Sequence, residues 1–357
     1  MFAERMHRAR KAAGLSMDAL AREVGVSANA IKKYEHGHAM PTSGNLLKLA
    51  KALNVRSEYF FRPIKVKLQG VEYRKRANAP RKVLDKINGD ILDQAERWAE
   101  LLDLYPDSIK PVPTFCLPAD LAGQVPDMEA VDAIAEQLRE SWELGLGPIP
   151  ELIDVLEARG LMVIVTDVAE GRTFDGLAGT LGQTPVVVIS SQAPGDRQRF
   201  TLAHELGHLV LAGRLLPDRD LEMACNRFAG AFLLPATTLR DHLGQRRHQF
   251  EARELYMLKH EFGVSMAAIL IRALQCGIIT ESRYKQWQIH FSREGWRSHE
   301  PGEPCPRETT QLFRQLVYRA LAEEYIGESK AAELLKMPLS LFHKERKLEG
   351  MDAVADQ

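Results

Sequence analysis

The sequence predicts a mainly α-helical protein with a small β-sheet, an α+β chain of several domains. Three observations carry that expectation. Most of the 357 residues lie in segments whose apolar residues recur three and four apart, the period of a helix that buries one face. Strand-like runs cluster in one region, residues 161–190. Charge is divided unevenly: residues 1–86 hold 19 Lys and Arg against 7 Asp and Glu, a balance of +12, and the rest of a chain of net charge −1 carries −13. A basic module joined to an acidic body points to a polyanion as partner of the first part.

Composition excludes several classes. With 45% apolar residues the chain is globular rather than disordered. Cys116, Cys225, Cys276 and Cys305 form no C-x-x-C pair, so neither a disulfide framework nor a thiolate metal site is expected. The first residues are charged and lack an apolar core, and no run of 18 apolar residues occurs. No signal peptide and no membrane span are expected, and the expected setting is the cytoplasm.

The elements follow in order. Ser16 is placed to cap a helix with Leu20, Ala21 and Val24 on one face, and Gly25 ends it. Ser27 opens the short helix "ANAIKKYE", which stops at Gly37. Thr42 or Ser43 starts a third helix with Leu46, Leu47, Leu49, Ala50 and Leu53 as its stripe. Two short helices joined by a Gly-containing turn make a helix-turn-helix. Residues 62–86 are basic and less apolar, a linker or arm leading into a helix over about 81–104, with Arg74, Lys75 and Arg76 within reach of phosphates.

From about residue 125 the pattern changes. An amphipathic helix at 128–144 and a shorter one ended by Gly160 precede a strand at 161–168. Two further strands, 177–181 and 185–190, are joined at Gly182. Asp196, after "PG", is expected to cap a helix over about 197–212 that contains "AHELGH". His204 and His208 are four apart, so both rings project from one face, as two imidazole ligands of a zinc ion would. Glu205 between them is positioned as general base without being a ligand. "HEFGV" at 260–264 begins in the same way but has Val264 where the second histidine is needed. A third ligand is expected on the helix 220–235, stopped by Pro235: Glu222 there is the ligand candidate, and Asn226 one turn on would orient a ligating histidine.

Two resemblances follow from these residues. "LA" at 20–21, "GVS" at 25–27, Ile31 and "YEHG" at 34–37 resemble the XRE (Cro/cI-like) DNA-binding domains. That likeness implies a recognition helix over about 28–35 with Asn29, Lys32 and Lys33 facing double-stranded DNA, Ser27 near a phosphate, and a homodimer on a two-fold operator. Met17 stands where the family often has Gln. "RFTLAHELGHLVL" followed by "E-x-x-x-N-R-F-A-x-x-F-L-L-P" resembles the ImmA/IrrE metallopeptidases, with Cys225 where Ala is usual. It implies a zincin-like domain with zinc on His204, His208 and Glu222, Glu205 as general base, and a protein substrate, either a repressor or the chain itself. Such peptidases also use a downstream His or Tyr to steady the oxyanion, for which His242, His248, Tyr256 and His260 are candidates.

The expected domains are a helix-turn-helix head at 1–64, a basic linker and connecting helix at 65–124, the peptidase at 125–280 and a helical C-terminal region at 281–357. Residues 254–279 repeat a helix, Gly-Val-Ser turn and helix, and are expected to pack on the peptidase rather than read DNA. Residues 281–307 read as a long loop and 309–345 as two helices. The leading function is a DNA-binding regulator with zinc endopeptidase activity. The alternatives are a transcription factor whose peptidase fold is a non-catalytic sensor or scaffold, or a regulator in a toxin–antitoxin or phage-defence locus.

Overall fold

The structure is a computed structural model that describes residues 1–53, 55–62, 68–73, 81–121, 123–167, 174, 176–216 and 220–349. It has an α+β fold, with one four-stranded sheet and helices elsewhere.

Helices α1 (Phe2–Ala12), α2 (Met17–Val24), α3 (Ala28–Glu35) and α4 (Ser43–Ala52), closed by a 3₁₀ turn at Ser57–Phe61, make the head. The Ser16, Ser27 and Thr42 side chains accept from the amides of Ala19, Ala30 and Asn45 at 3.0, 3.1 and 3.3 Å, so each predicted cap is formed. Gly25 ends α2 in the left-handed region at φ 78°, which a residue with a Cβ adopts only at a cost. Met6, Leu20, Ile31, Leu49 and Phe60 are fully enclosed in the head's own core.

The head is docked on α5 (Arg81–Asp103), the connecting helix. At Gly89 an added Cβ would lie 2.4 Å from Ala12 Cα, so α1 and α5 touch backbone to backbone there. Arg5 and Arg8 pair with Glu96, and Lys11 pairs with Asp85. Arg62 and Arg56 reach Glu333 far along the chain. Part of the head's positive balance is therefore spent on the acidic body of the same chain. The charge asymmetry alone implied only an external polyanion, because sequence does not show which charges meet.

The peptidase region contains α6 (Met128–Ser141), α7 (Leu152–Ala158), β2 (Met162–Thr166), β3 (Gly176–Leu181), β4 (Thr184–Ser190), α8 (Gly195–Leu211), α9 (Leu221–Leu233), α10 (Ala236–Leu243), α11 (Ala252–Phe262) and α12 (Met266–Gln275). The linker supplies a strand that the sequence reading missed, β1 (Leu68–Tyr73). Strand order is β1-β3-β4-β2, with β2 parallel to β4 and the other pairings antiparallel. The β3–β4 hairpin turns at Gly182, φ 64°. Helices α6, α8, α9 and α12 enclose the main core around Leu138, Leu206, Phe228 and Ile269. As expected, the helix-turn-helix echo at α11–α12 packs there.

Three expectations need correction. Asp196 does not cap α8: the helix begins at Gly195 behind Pro194, and Asp196 is buried in its first turn, 3.5 Å from Lys259. Residues 281–307 are not one loop, because α13 (Glu281–Arg293) packs Phe291 and Trp287 on the main core before an ordered segment follows. The stretch 309–345 forms three helices, α14 (Leu312–Ala322), α15 (Glu328–Leu334) and α16 (Leu339–Arg346). These share a core with Trp98, Leu101 and Tyr105, so the tail packs on the connecting helix. Arg74, Lys75 and Arg76 lie outside the described residues. Among the described residues no helix is long and apolar enough to cross a membrane.

Candidate metal centre and nucleic-acid face

Helix α8 packs against β3 and β4 on one side and α9 on the other. Gly207 makes this contact close: a Cβ there would meet Phe228 Cδ1 at 3.1 Å and Cys225 Cα at 3.3 Å. Helix α9 is fixed in turn by Arg227, which donates to Asp132 of α6 at 2.8 Å, while Arg272 of α12 donates to the same carboxylate at 2.9 Å. This scaffold aims one face of α8 at the first turn of α9.

The structure brings together the three residues that the sequence offered as ligands. Nε2 of His204 and of His208 lie 3.0 Å apart. The Glu222 carboxylate is 3.5 Å from the first and 3.3 Å from the second. Among the described residues this is the one group of three such side chains whose donor atoms converge, all within 4.8 Å. Two imidazole nitrogens and a carboxylate are a zinc donor set. Bonds of about 2.0–2.1 Å at tetrahedral angles place two nitrogens roughly 3.3 Å apart, near the spacing found. His204 Nδ1 lies 3.0 Å from Asn226 Oδ1. An amide oxygen accepts, so Nδ1 carries the proton and Nε2 is left with a lone pair facing the cluster. The residues present therefore fit a metal.

His204 is wholly buried and Glu205 is nearly so, at 3% exposure, whereas Glu222 stands in the open. Beside them opens a cleft of about 1370 Å³, lined by Thr201, Phe200, Glu222, Asn226, Phe291 and Trp296 among others. The four residues offered for the oxyanion, His242, His248, Tyr256 and His260, are not among the residues that line this cleft. His242 lies 3.7 Å from Glu261, Tyr256 packs on Gly302, His260 Nε2 is 3.1 Å from the Glu303 carbonyl oxygen, and His248 is exposed. His299, Trp296 and Arg197 do line the cleft, and sequence reasoning overlooked them. No spacing signal marks residues 296–299, which reach the cleft only because α13 folds back.

On the head, Asn29, Lys32 and Lys33 are exposed along α3. Ser27 is exposed as well, with its oxygen engaged as the cap of that helix. Arg10 holds α3 from behind, donating to Glu35 at 2.5 and 2.8 Å. Burial works to raise the Glu35 carboxyl, but Arg10 and His7 hold it below the usual range. The pair is therefore ionised at neutral pH and locks α1 against α3.

Comparison with known proteins agrees with both regions. Residues 156–274 match the family model of the IrrE N-terminal-like domain, and residues 6–60 match that of a helix-turn-helix. The chain carries a helix-turn-helix domain followed by a domain similar to the IrrE N-terminal domain. The radiation response metalloprotease IrrE of Deinococcus radiodurans is 39% identical over 71 residues, covering 16% of this chain and 22% of the relative. Its counterpart in Deinococcus deserti is 41% identical over 71 residues, covering 16% and 25%. The cryptic phage CTXphi transcriptional repressor RstR of Vibrio cholerae is 42% identical over 52 residues, covering 15% of this chain and 46% of the repressor. The chain thus spans a quarter or less of the length of the two metalloproteases and about half that of the repressor.

Proposed function

We propose that this chain is a DNA-binding regulator whose second domain is a zinc-dependent endopeptidase acting on a partner regulator or on the chain itself. The observation that carries this reading is the convergence of His204, His208 and Glu222 with Glu205 buried on the same helix. A site serving only structure has no use for that fourth group.

Zinc held by the three ligands would polarise a scissile carbonyl and make water nucleophilic near neutral pH. Glu205 takes the proton from the attacking water and returns it to the leaving amine. Asn226 holds the His204 ring so that Nε2 stays deprotonated and in place. Phe200, Phe291 and Trp296 give the cleft apolar walls that exclude water from the peptide backbone. On the head, α3 enters the major groove, with Asn29, Lys32 and Lys33 toward the DNA and Ser27 near a phosphate. A homodimer reads two half-sites about 34–36 Å apart. The ordered segment after α13 does not suit self-cleavage, because Glu300 and Cys305 anchor it, so the linker at 62–86 is the remaining site within the chain.

The test compares wild type, Glu205→Gln, and Lys32→Ala with Lys33→Ala in cells. The measurements are repression of the target promoter and the protein's size on a blot. Glu205→Gln is expected to keep zinc and repression but lose release from repression and any cleavage fragment. The lysine variant is expected to lose operator binding in a gel shift, with a shallower salt dependence. Identical release by wild type and Glu205→Gln, with no fragment of either protein or partner, would favour a non-catalytic sensor.

A further inference from the structure

The sheet offers an extended peptide one route to the metal cluster. Strand β4 is flanked on one side by β3 and on the other by β2, whose five residues pair without a break from Met162↔Val186 to Thr166↔Ser190. Strand β2 is the far edge of the sheet, and the connecting helix α5 lies against it, with Gln94 donating to the Val165 carbonyl oxygen at 3.1 Å. The outer side of β3 remains. It runs directly to the cleft: at Gly176 a Cβ would meet Thr201 Cγ2 at 2.5 Å, and Thr201 lies one turn before His204 and lines the cleft. A backbone added antiparallel along β3 is delivered beside the metal helix. Strand addition of this kind suits a peptidase, since main-chain hydrogen bonds hold any extended sequence.

That position is filled by the chain itself. Strand β1 pairs with β3 from Leu68↔Leu181 to Tyr73↔Leu177, so its C-terminal end points toward Gly176 and the cleft. The ladder is short and interrupted by a register shift between Gln69 and Glu72. A six-residue strand broken by a bulge is held by few hydrogen bonds, so a better-paired peptide can displace it. The head does not depend on it, since α1 is docked on α5 by its own ion pairs.

We propose that β1 is a built-in competitor for the substrate's backbone: an extended segment of a partner protein reaches the metal cluster by displacing the linker strand from β3. This rests on the peptidase reading, and it would explain how an open cleft is kept quiet inside a cell. It also ties access to the strand that joins the two domains.

Two full-length variants test it, both zinc-loaded and carrying Cys116→Ser. Gln69→Pro with Glu72→Pro takes two backbone N–H groups from β1 and fixes two backbone angles against the extended ladder. Gln69→Cys with Thr180→Cys, a register pair, staples β1 to β3 when oxidised. The probe is a quenched-fluorescent peptide with the sequence of residues 66–78, followed for hydrolysis and, separately, for binding by anisotropy. If β1 covers the edge nine-tenths of the time or more, the proline variant binds and cuts roughly 10-fold faster or better than the parent. The oxidised staple does neither, and reductant restores it to the parent level. Equal binding by parent, proline variant and oxidised staple overturns the proposal, as does binding by none of them. Binding that follows the predicted order with no hydrolysis in any variant upholds the competitor and rejects the peptidase.

Discussion

Helices α8 and α11 begin the same four-residue phrase and use it for different ends. "HELGH" at 204–208 and "HEFGV" at 260–264 share a histidine, a glutamate and a glycine at the same offsets. In α8 the helix continues through Gly207, which lets α9 approach, and His208 comes round one turn above His204. In α11 Gly263 takes φ 62° and ends the helix, and a Cβ there would meet Arg199 Nε at 2.4 Å. Val264, at the fifth position, is then off the helix and buried in the core. His204 is buried against Asn226, while His260 is exposed near a loop carbonyl. What sets the first stretch apart is helix continuity and a second helix that brings Glu222 and Asn226 to it.

The largest effect expected from this difference is on metal. His204→Ala should reduce bound zinc from about one per chain to a background trace after dialysis, by emission spectrometry. His260→Ala should leave the content unchanged. Loss of zinc in His260→Ala, or its retention in His204→Ala, would mean that the wrong helix has been assigned.

Asn226→Ala removes the group behind His204 and keeps all three ligands. Metal affinity should fall roughly 10–100-fold in competition with a fluorescent chelator, while the melting curve of the metal-free protein barely moves. An affinity within twofold of wild type would show that the Asn226 contact does not orient the ring.

Much of this was legible in the sequence, and the failures have physical causes. Caps and stop signals are local, so Ser16, Ser27, Thr42 and Gly25 could be read directly. The convergence of His204, His208 and Glu222 was legible because i, i+4 spacing fixes two rings on one face, and a carboxylate with an amide four residues on marks the helix that answers them. Strand β1 was hidden because "LQGVEY" is short, lacks clean alternation and lies among basic residues. Its partner β3 lies more than a hundred residues away, and pairing at that distance leaves no local trace. Helix α13 was missed for the opposite reason. Its sequence "ESRYKQWQIHFSR" is mostly polar and buries a single residue, Phe291, so its apolar stripe is nearly absent. The oxyanion candidates were chosen by residue type alone, and each has a neighbour outside the ligand cluster or lies exposed.

Rebuilding the missing histidine sharpens the comparison. Val264→His makes the second stretch "HEFGH", matching the motif letter for letter. It should gain no metal, because Gly263 has already turned the chain and no carboxylate is positioned to answer. Burying an imidazole where Val264 was fully enclosed should cost about 1–3 kcal/mol, read as a lower melting temperature. A second equivalent of zinc in this variant would show that spacing alone builds the site.

The smallest effects should come from the two glycines, and they differ in kind. Gly263→Ala places a Cβ on a left-handed residue and against Arg199, whose guanidinium pairs with Glu308. The positive φ costs about 1 kcal/mol and displacement of the arginine adds to it, so stability should fall while zinc affinity stays as it was. Gly207→Ala lies mid-helix, where alanine is favoured by about 1 kcal/mol over glycine. Its Cβ, however, meets Phe228 and Cys225 at 3.1–3.4 Å, tighter than ordinary packing. Those contacts must give by a few tenths of an ångström, and most of the helical gain is offset. Net stability should change by less than about 1 kcal/mol, but the yielding side is α9, which carries Glu222 and Asn226. Zinc affinity should therefore drop a few-fold with the melting temperature of the metal-free protein nearly constant. Chelator competition and thermal melts on the two variants separate these outcomes. If Gly207→Ala lowered stability and left zinc affinity intact, the close approach of α8 and α9 would serve the core and not the metal centre.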